Sequence, residues 1–253
     1  MQLNGKTALI TGASRGIGAA TAAALAAEGA SVVLAARTTD QIEANAAAIR
    51  EAGGQAIAVA CDVSRYADLE AAVNLCQESF GSLDILINNA GVIEPISRLA
   101  DSDPEQWGHA ADINYKGVYF GLRAALPVMQ AAGGGTIVNI SSGAATGALE
   151  GWSHYCSAKA AALSLTKCAD VECRDQGIKV VGLSPGTVAT DMQVLIKASG
   201  INPVSQLDPG VHIPADWPAK AVVWMCTANM DEYLGMDISL RDEDVLKRIG
   251  LTA

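Results

Sequence analysis

Residues Lys6-Thr7-Ala8-Leu9-Ile10-Thr11-Gly12-Ala13-Ser14-Arg15-Gly16-Ile17-Gly18 decide how the rest of the chain is read. Positions 6–11 form a short, mostly apolar run of strand length. It passes straight into a glycine turn and then an alanine-rich helical run over 19–28. Strand, glycine turn and helix in that order are the parts of a dinucleotide site. Glycines let the backbone turn sharply and approach a pyrophosphate, while the helix N-terminus offers unpaired N–H groups and a partial positive charge. The spacing is G-x-x-x-G-x-G rather than G-x-G-x-x-G, so the flanking strand and helix carry the reading as much as the glycines do.

Working outward, 31–36 reads as a second buried strand. An NAD site places a carboxylate for the adenosine ribose at its end. Here Ala36 and Arg37 stand there instead. Arg37, with Arg15 in the glycine turn and the hydroxyls of Thr38 and Thr39, suits a 2′-phosphate and therefore NADP(H), in a site expected to hold no opposing anionic group. A third strand over 55–60 leads to Cys61-Asp62-Val63, where Asp62 is positioned to accept from an adenine amino group or to cap the next helix. A fourth over 83–88 ends in Asn88-Asn89-Ala90-Gly91, at the carboxyl edge where a doubly wound sheet binds ligand.

Tyr155-Cys156-Ser157-Ala158-Lys159 places a phenol and an amine four residues apart, on one face if the segment is helical. A free tyrosine titrates near ~10, so one that exchanges protons at neutral pH needs a cation beside its phenolate. The alternative is a solvent-exposed pair on an ordinary amphipathic helix.

Taken in order, Thr11-Gly12-x-x-x-Gly16-x-Gly18, Asn88-Asn89-Ala90-Gly91, Ser142, Tyr155 and Lys159 resemble the short-chain dehydrogenase/reductase family over about residues 5–195, and more loosely to about 240. The resemblance implies an α/β fold: a doubly wound, mostly seven-stranded parallel sheet of Rossmann type with helices on both faces, forming one catalytic domain over 1–253. Further strands are expected at 135–140, 178–184 and 235–240. By the same resemblance Tyr155 donates the proton and Ser142 binds the substrate oxygen. Lys159 lowers the phenol and grips the nicotinamide ribose, and Asn114, in Asn114-Tyr115-Lys116-Gly117, bends its helix and holds a water beside that lysine. NADP(H) contacts are expected from Gly12, Ser14, Arg15, Gly16, Ile17, Gly18, Arg37, Asp62, Val63, Asn89, Ala90 and Gly91, and from Tyr155 and Lys159. Pro185 and Gly186 lead to the Val188 backbone and Thr190, which hold the carboxamide.

The stretch 191–217, with prolines at 203, 209 and 214, reads as a substrate lid. Asp103-Pro104-Glu105-Gln106 predicts a capped helix start. His154 receives no role. The last strand departs from the Val-Asp-Gly-Gly ending of many relatives, which puts the usual C-terminal subunit contacts in doubt.

A net charge of -10 argues against nucleic acid or an anionic membrane as partner. It also argues against an acidic acyl carrier protein, so a reductase of small ketones is favoured over a 3-oxoacyl reductase. A catalytically silent cofactor sensor is disfavoured because all four catalytic positions are filled. The 6 cysteines show no metal spacing and read as reduced core thiols. With no signal peptide or spanning segment read, a cytoplasmic protein is expected, and the alanine-rich helices bearing Asn114 and Tyr155 suggest a homo-oligomer, tetramer or dimer.

Overall fold

The computed structural model describes residues 1–251. In chain order the main elements are β1 (Thr7–Thr11), α1 (Gly16–Ala27), β2 (Ser31–Ala36), α2 (Thr39–Glu51), β3 (Gln55–Ala60), α3 (Tyr66–Phe80) and β4 (Ile85–Asn88). They continue with α4 (Pro104–Ala111), α5 (Gly117–Ala132), β5 (Gly135–Ile140), α6 (Ser153–Cys173), β6 (Ile178–Ser184), α7 (Asp191–Ser199), α8 (Asp216–Thr227), β7 (Asp237–Ser239) and α9 (Glu243–Ile249). Among the described residues the strands form one sheet of 7, in the order β3-β2-β1-β4-β5-β6-β7 and parallel throughout. The chain reverses its direction of travel between β1 and β4, and the strand ends around that reversal open a crevice for ligand.

Side chains of β1 and β2 alternate between two apolar layers, as a period of two requires. Ala8, Ile10, Val32 and Leu34 pack with α1, α2 and α8 on one face. Leu9, Val33 and Ala35 pack with α3, α5 and α6 on the other. Strands covered on both faces read as continuous apolar runs, which is why 31–36, 135–140 and 178–184 match their expected bounds. The edge strand 55–60 matches too, although it is only partly buried. Others differ. Helix α1 begins at Gly16, inside the glycine turn, rather than at position 19. β4 starts at Ile85, and just before it the Asp84 carboxylate accepts from Lys6, the Thr7 N–H and Ser82. β7 shortens to three residues.

A buried polar chain fixes α6 against the sheet. Asn88 Nδ2 donates to Asn139 Oδ1 at 2.9 Å, Asn139 Nδ2 donates to Thr166 Oγ1 at 2.9 Å, and Thr166 Oγ1 donates to the Ala162 carbonyl at 3.1 Å. Such groups are costly to bury unpaired, so the chain specifies one register of helix on strand. Gly121 makes room for it, since a Cβ there would lie 2.2 Å from Asn88 Oδ1. At the C-terminus Asp242 caps α9, which packs its Val245, Leu246 and Ile249 into the core beside α8. All six cysteines are unpaired, and Cys168, contrary to expectation, lies exposed on α6.

Candidate active site

The glycine turn is built from both sides of the β1–β4 junction. Gly12 has φ 64°, and a Cβ there would come 2.8 Å from Ala90 Cα. Asn89 Nδ2 donates to the Thr11 carbonyl at 2.8 Å and to the Gly12 carbonyl at 3.1 Å, while the Thr11 hydroxyl accepts from the Asn89 N–H at 3.0 Å. The Asn89 amide therefore holds the turn, and its donors are not left for a ligand. Gly18, unlike Asn89, does not line the cleft: a Cβ there would meet the Gly12 carbonyl at 2.4 Å and Asn89 Nδ2 at 2.5 Å, so this glycine lets α1 sit close under β1. Gly16, facing Thr190, keeps the backbone free at the cleft. The N-cap Arg15 makes no side-chain cap, and the first N–H groups of α1 stay available to an anion. This cradle fits a pyrophosphate.

The cleft beyond it measures about 1200 Å³ and is lined by Gly12, Ser14, Arg15, Gly16 and Ile17 at one end, and by Arg37, Asp62 and Val63 beside β2 and β3. Asn89, Ala90 and Gly91, then Pro185, Gly186, Val188 and Thr190, form its two banks, with Ser142, Tyr155 and Lys159 at the far end. Asp62 does not cap α3; its Oδ1 accepts from the Ser64 N–H and hydroxyl. Burial acts to raise this carboxyl, but the Ser64 hydrogen bonds and the Arg37 charge outweigh it and hold it below its ordinary value. The expectation of a phosphate site without anionic groups is thus not met. Asp62 neighbours Arg37, and Asp191 pairs with Arg15 at 2.9 Å.

Tyr155 and Lys159 share the inward face of α6, both buried. Lys159 Nζ donates to the Ile140 carbonyl at 2.6 Å and lies 5.6 Å from the Tyr155 ring centroid. Burial pushes the Lys159 amine down to about 8. Burial also pushes the Tyr155 phenol up to about 12, against a hydrogen bond to Ser142 that favours the phenolate. The lysine expected to lower the phenol does not do so in the protein by itself, because desolvation of the ring prevails. Ser142 leaves the end of β5 and accepts from the Ala144 N–H at 3.2 Å.

Asn114 lies not in a regular helix but in a π-helical turn (Asp112–Lys116) between α4 and α5, and it is fully buried rather than solvent-facing. Its Oδ1 accepts from the Val92 N–H at 2.9 Å and its Nδ2 donates to the Val92 carbonyl at 2.8 Å. The side chain thus clamps the loop at Val92, next to Gly91. It does not line the cleft. Asp103 caps α4 as its sequence predicts, accepting from the Gln106 N–H at 2.8 Å. His154 is buried, its pKa lowered by that burial, and its Nε2 donates to the Ile93 carbonyl at 2.8 Å.

Over Tyr155 lies a small apolar cluster of Ile93, Ala144, Trp152 and Ile196, with Leu149, Met192 and Val204 packed against it. Trp152 meets the Tyr155 ring edge-on, centroids 5.6 Å apart. Sequence reasoning did not find these walls. Trp152, three residues before Tyr155, was the available signal. Part of the 191–217 stretch is already seated here through α7, and Asn202 Nδ2 donates to the Glu150 carbonyl at 3.0 Å. Helix α8 begins at Asp216. Among the described residues no helix is long and apolar enough to cross a membrane, and no cluster of His, Cys, Asp and Glu could hold a metal.

A doubly wound parallel sheet, a glycine cradle at its switch point and a tyrosine–lysine face opposite define a nucleotide-dependent oxidoreductase class. The sequence profile described as short chain dehydrogenase matches residues 6–199. The chain is 36% identical over 245 residues to the 2,5-dichloro-2,5-cyclohexadiene-1,4-diol dehydrogenase of Sphingobium indicum, covering 94% of this chain and 96% of that one. It superposes on NAD+-bound xylitol dehydrogenase with a TM-score of 0.88 at 25% identity, covering 95% and 99% of the two chains. A metagenomic short-chain oxidoreductase in complex with NADP gives a TM-score of 0.79 at 32% identity, covering 95% and 98%. The chain belongs to the short-chain dehydrogenase/reductase family, whose members are oxidoreductases that bind a nicotinamide cofactor.

Proposed function

We propose that the protein interconverts a small, largely apolar ketone and its secondary alcohol with NADP(H), in one catalytic domain over 1–253 whose segment 191–217 serves as substrate lid. The observation that carries this reading is the convergence of Tyr155, Lys159 and Ser142 under the apolar cluster at one end of a cleft whose other end is the glycine cradle. When bound, the nicotinamide gives or takes the hydride at the substrate carbon. Ser142 aligns the substrate oxygen, and the Tyr155 hydroxyl gives it a proton in reduction or takes one in oxidation. Lys159 favours the phenolate and holds the ribose, its ammonium joined by the positive ring of the oxidised cofactor in opposing the desolvation of Tyr155. The Asn114 side chain being engaged by Val92, a water beside Lys159 falls to the main chain of the π turn.

Ile93, Leu149, Trp152, Met192 and Ile196 offer apolar walls and few hydrogen-bonding groups, which supports a compact alicyclic substrate. The cyclic diol named for the Sphingobium relative points the same way. Arg15 and Arg37, with no carboxylate at position 36, support NADP(H). Association through α5 and α6 is part of the same reading. NADPH consumption against a panel of cyclic ketones, β-keto esters and 3-oxoacyl thioesters tests it. Turnover of the cyclic ketones above the thioesters is expected, and turnover of thioesters alone would replace the substrate assignment.

A further inference from the structure

Asp237 is a half-buried carboxylate that the reaction above does not use. It stands on β7 opposite Gly182 of β6 and sends its side chain across β6. A Cβ on Gly182 would come 2.7 Å from Asp237 Oδ1, so glycine leaves that path open. Beyond it, Asp237 Oδ2 accepts from the Ser141 hydroxyl at 2.8 Å, at the end of β5. Ser141 directly follows Ile140, whose carbonyl accepts from Lys159 Nζ. Carboxylate and ammonium are therefore anchored on consecutive residues of one strand end, and both line the cleft. Asp237 Oδ1 is buried and, among the described residues, has no hydrogen-bond partner.

We propose that Asp237 is the counter-ion of Lys159, a positioning residue that keeps the lysine charged from the sheet side without touching substrate or cofactor. Its catalytic consequence rests on the role proposed above for Lys159. A buried ammonium is costly unless an opposite charge is near, and each charge of such a pair favours the other. Ser141 faces the carboxylate from β5, Lys159 and Lys167 face it from α6, and β6 presents only the uncharged Gly182. Facing Lys159 are the Ile140 carbonyl, Tyr155 on its own helix and Gly91 beside Asn114. Burial pushes the Asp237 carboxyl up, opposed by Ser141 and the two lysines, and Asp237 in turn opposes the downward push of burial on Lys159. Neutralising Asp237 lowers the Lys159 pKa further. The ammonium is then lost at a lower pH, and the alkaline limb of ketone reduction moves toward acid.

The test is Asp237→Asn in the full chain, read two ways. The first is the titration of Lys159 in protein carrying 13Cε-labelled lysine, assigned with Lys159→Arg. The second is the pH profile of kcat/KM on a ketone that the unmodified enzyme reduces. The lysine titration is expected to fall by about half a pH unit or more, with the alkaline limb following it. A falling titration with a fixed limb supports the charge coupling and rejects the catalytic role of Lys159 instead. An unchanged Lys159 titration overturns the proposal. If Asp237→Asn does not fold, Ser141→Ala, which removes the only donor to Oδ2 among the described residues, is expected to shift Lys159 in the same direction, and an unchanged titration there is equally decisive.

Discussion

Arg15 Nη1 lies 2.9 Å from Asp191 Oδ2, tying the glycine turn to the first residue of α7 across the mouth of the cleft. Both side chains are about two-thirds exposed (67% and 66%). A pair so solvated is worth at most about 1 kcal/mol, little enough for a phosphate to displace it. Asp191→Asn is therefore expected to tighten NADPH binding about two- to fivefold while leaving NADH nearly unchanged. Fluorescence titration of both cofactors measures this. Equal effects on the two would mean that Arg15 does not serve the 2′-phosphate.

Cofactor choice follows from the end of β2. With Ala36 where a ribose-binding carboxylate would stand, and Arg37 in no ion pair among the described residues, NADPH should exceed NADH by one to two orders of magnitude in kcat/KM, roughly what one charge-assisted contact supplies. Ala36→Asp combined with Arg37→Ala should reverse the order. Equal values in the unmodified enzyme would count against the whole reading of this turn.

Tyr155→Phe removes the hydroxyl while keeping the ring against Trp152, so the fold and cofactor binding should persist. Turnover should drop by about 10²–10⁴-fold, the contribution of a positioned general acid. Single-turnover kinetics alongside cofactor titration separates the two. A variant retaining most of its kcat would move the proton donor elsewhere.

The sheet was legible because its central strands are covered on both faces and so appear as uninterrupted apolar runs between turn residues. Less could be read of what depends on contacts between distant segments. Nothing local at Asn89 or Gly18 tells whether it meets ligand or holds the turn; only the carbonyls of Thr11 and Gly12 decide that. A π turn at Asn114 has no composition of its own, and the fully buried amide looks like any mid-helix asparagine in sequence. Asp237 acts across β6, on a partner 96 positions away. The Tyr155–Lys159 spacing gave the face they share, but not that burial would raise the phenol rather than lower it.

Gly121→Ala should be among the more destabilising single-methyl additions in the chain. The new Cβ would press on Asn88, whose amide begins the buried chain to Asn139 and Thr166. A cost of about 1–3 kcal/mol is expected, measurable as a lower midpoint in urea. Stability equal to the unmodified protein would mean that the chain relaxes without penalty.

Tyr115 and Tyr119 remain exposed on the π turn and α5, and Val171 on α6, apolar surface of the kind that protein partners cover. Light scattering at micromolar concentration is expected to return a multiple of the 25.9 kDa chain mass. A monomer would assign that surface to something other than a second copy.

The groups proposed for proton transfer sit on a helix locked to the sheet by the Asn88–Asn139–Thr166 chain, whereas the walls over them come largely from the segments around Ile93, Leu149 and Val204 and from α7. Such a division lets the two be altered independently. Loop grafts from relatives with other alcohols should transplant preference without rebuilding the reaction, and random variation should drift in the walls faster than in the floor beneath them. Here a new specificity is a matter of upholstery, not of the frame.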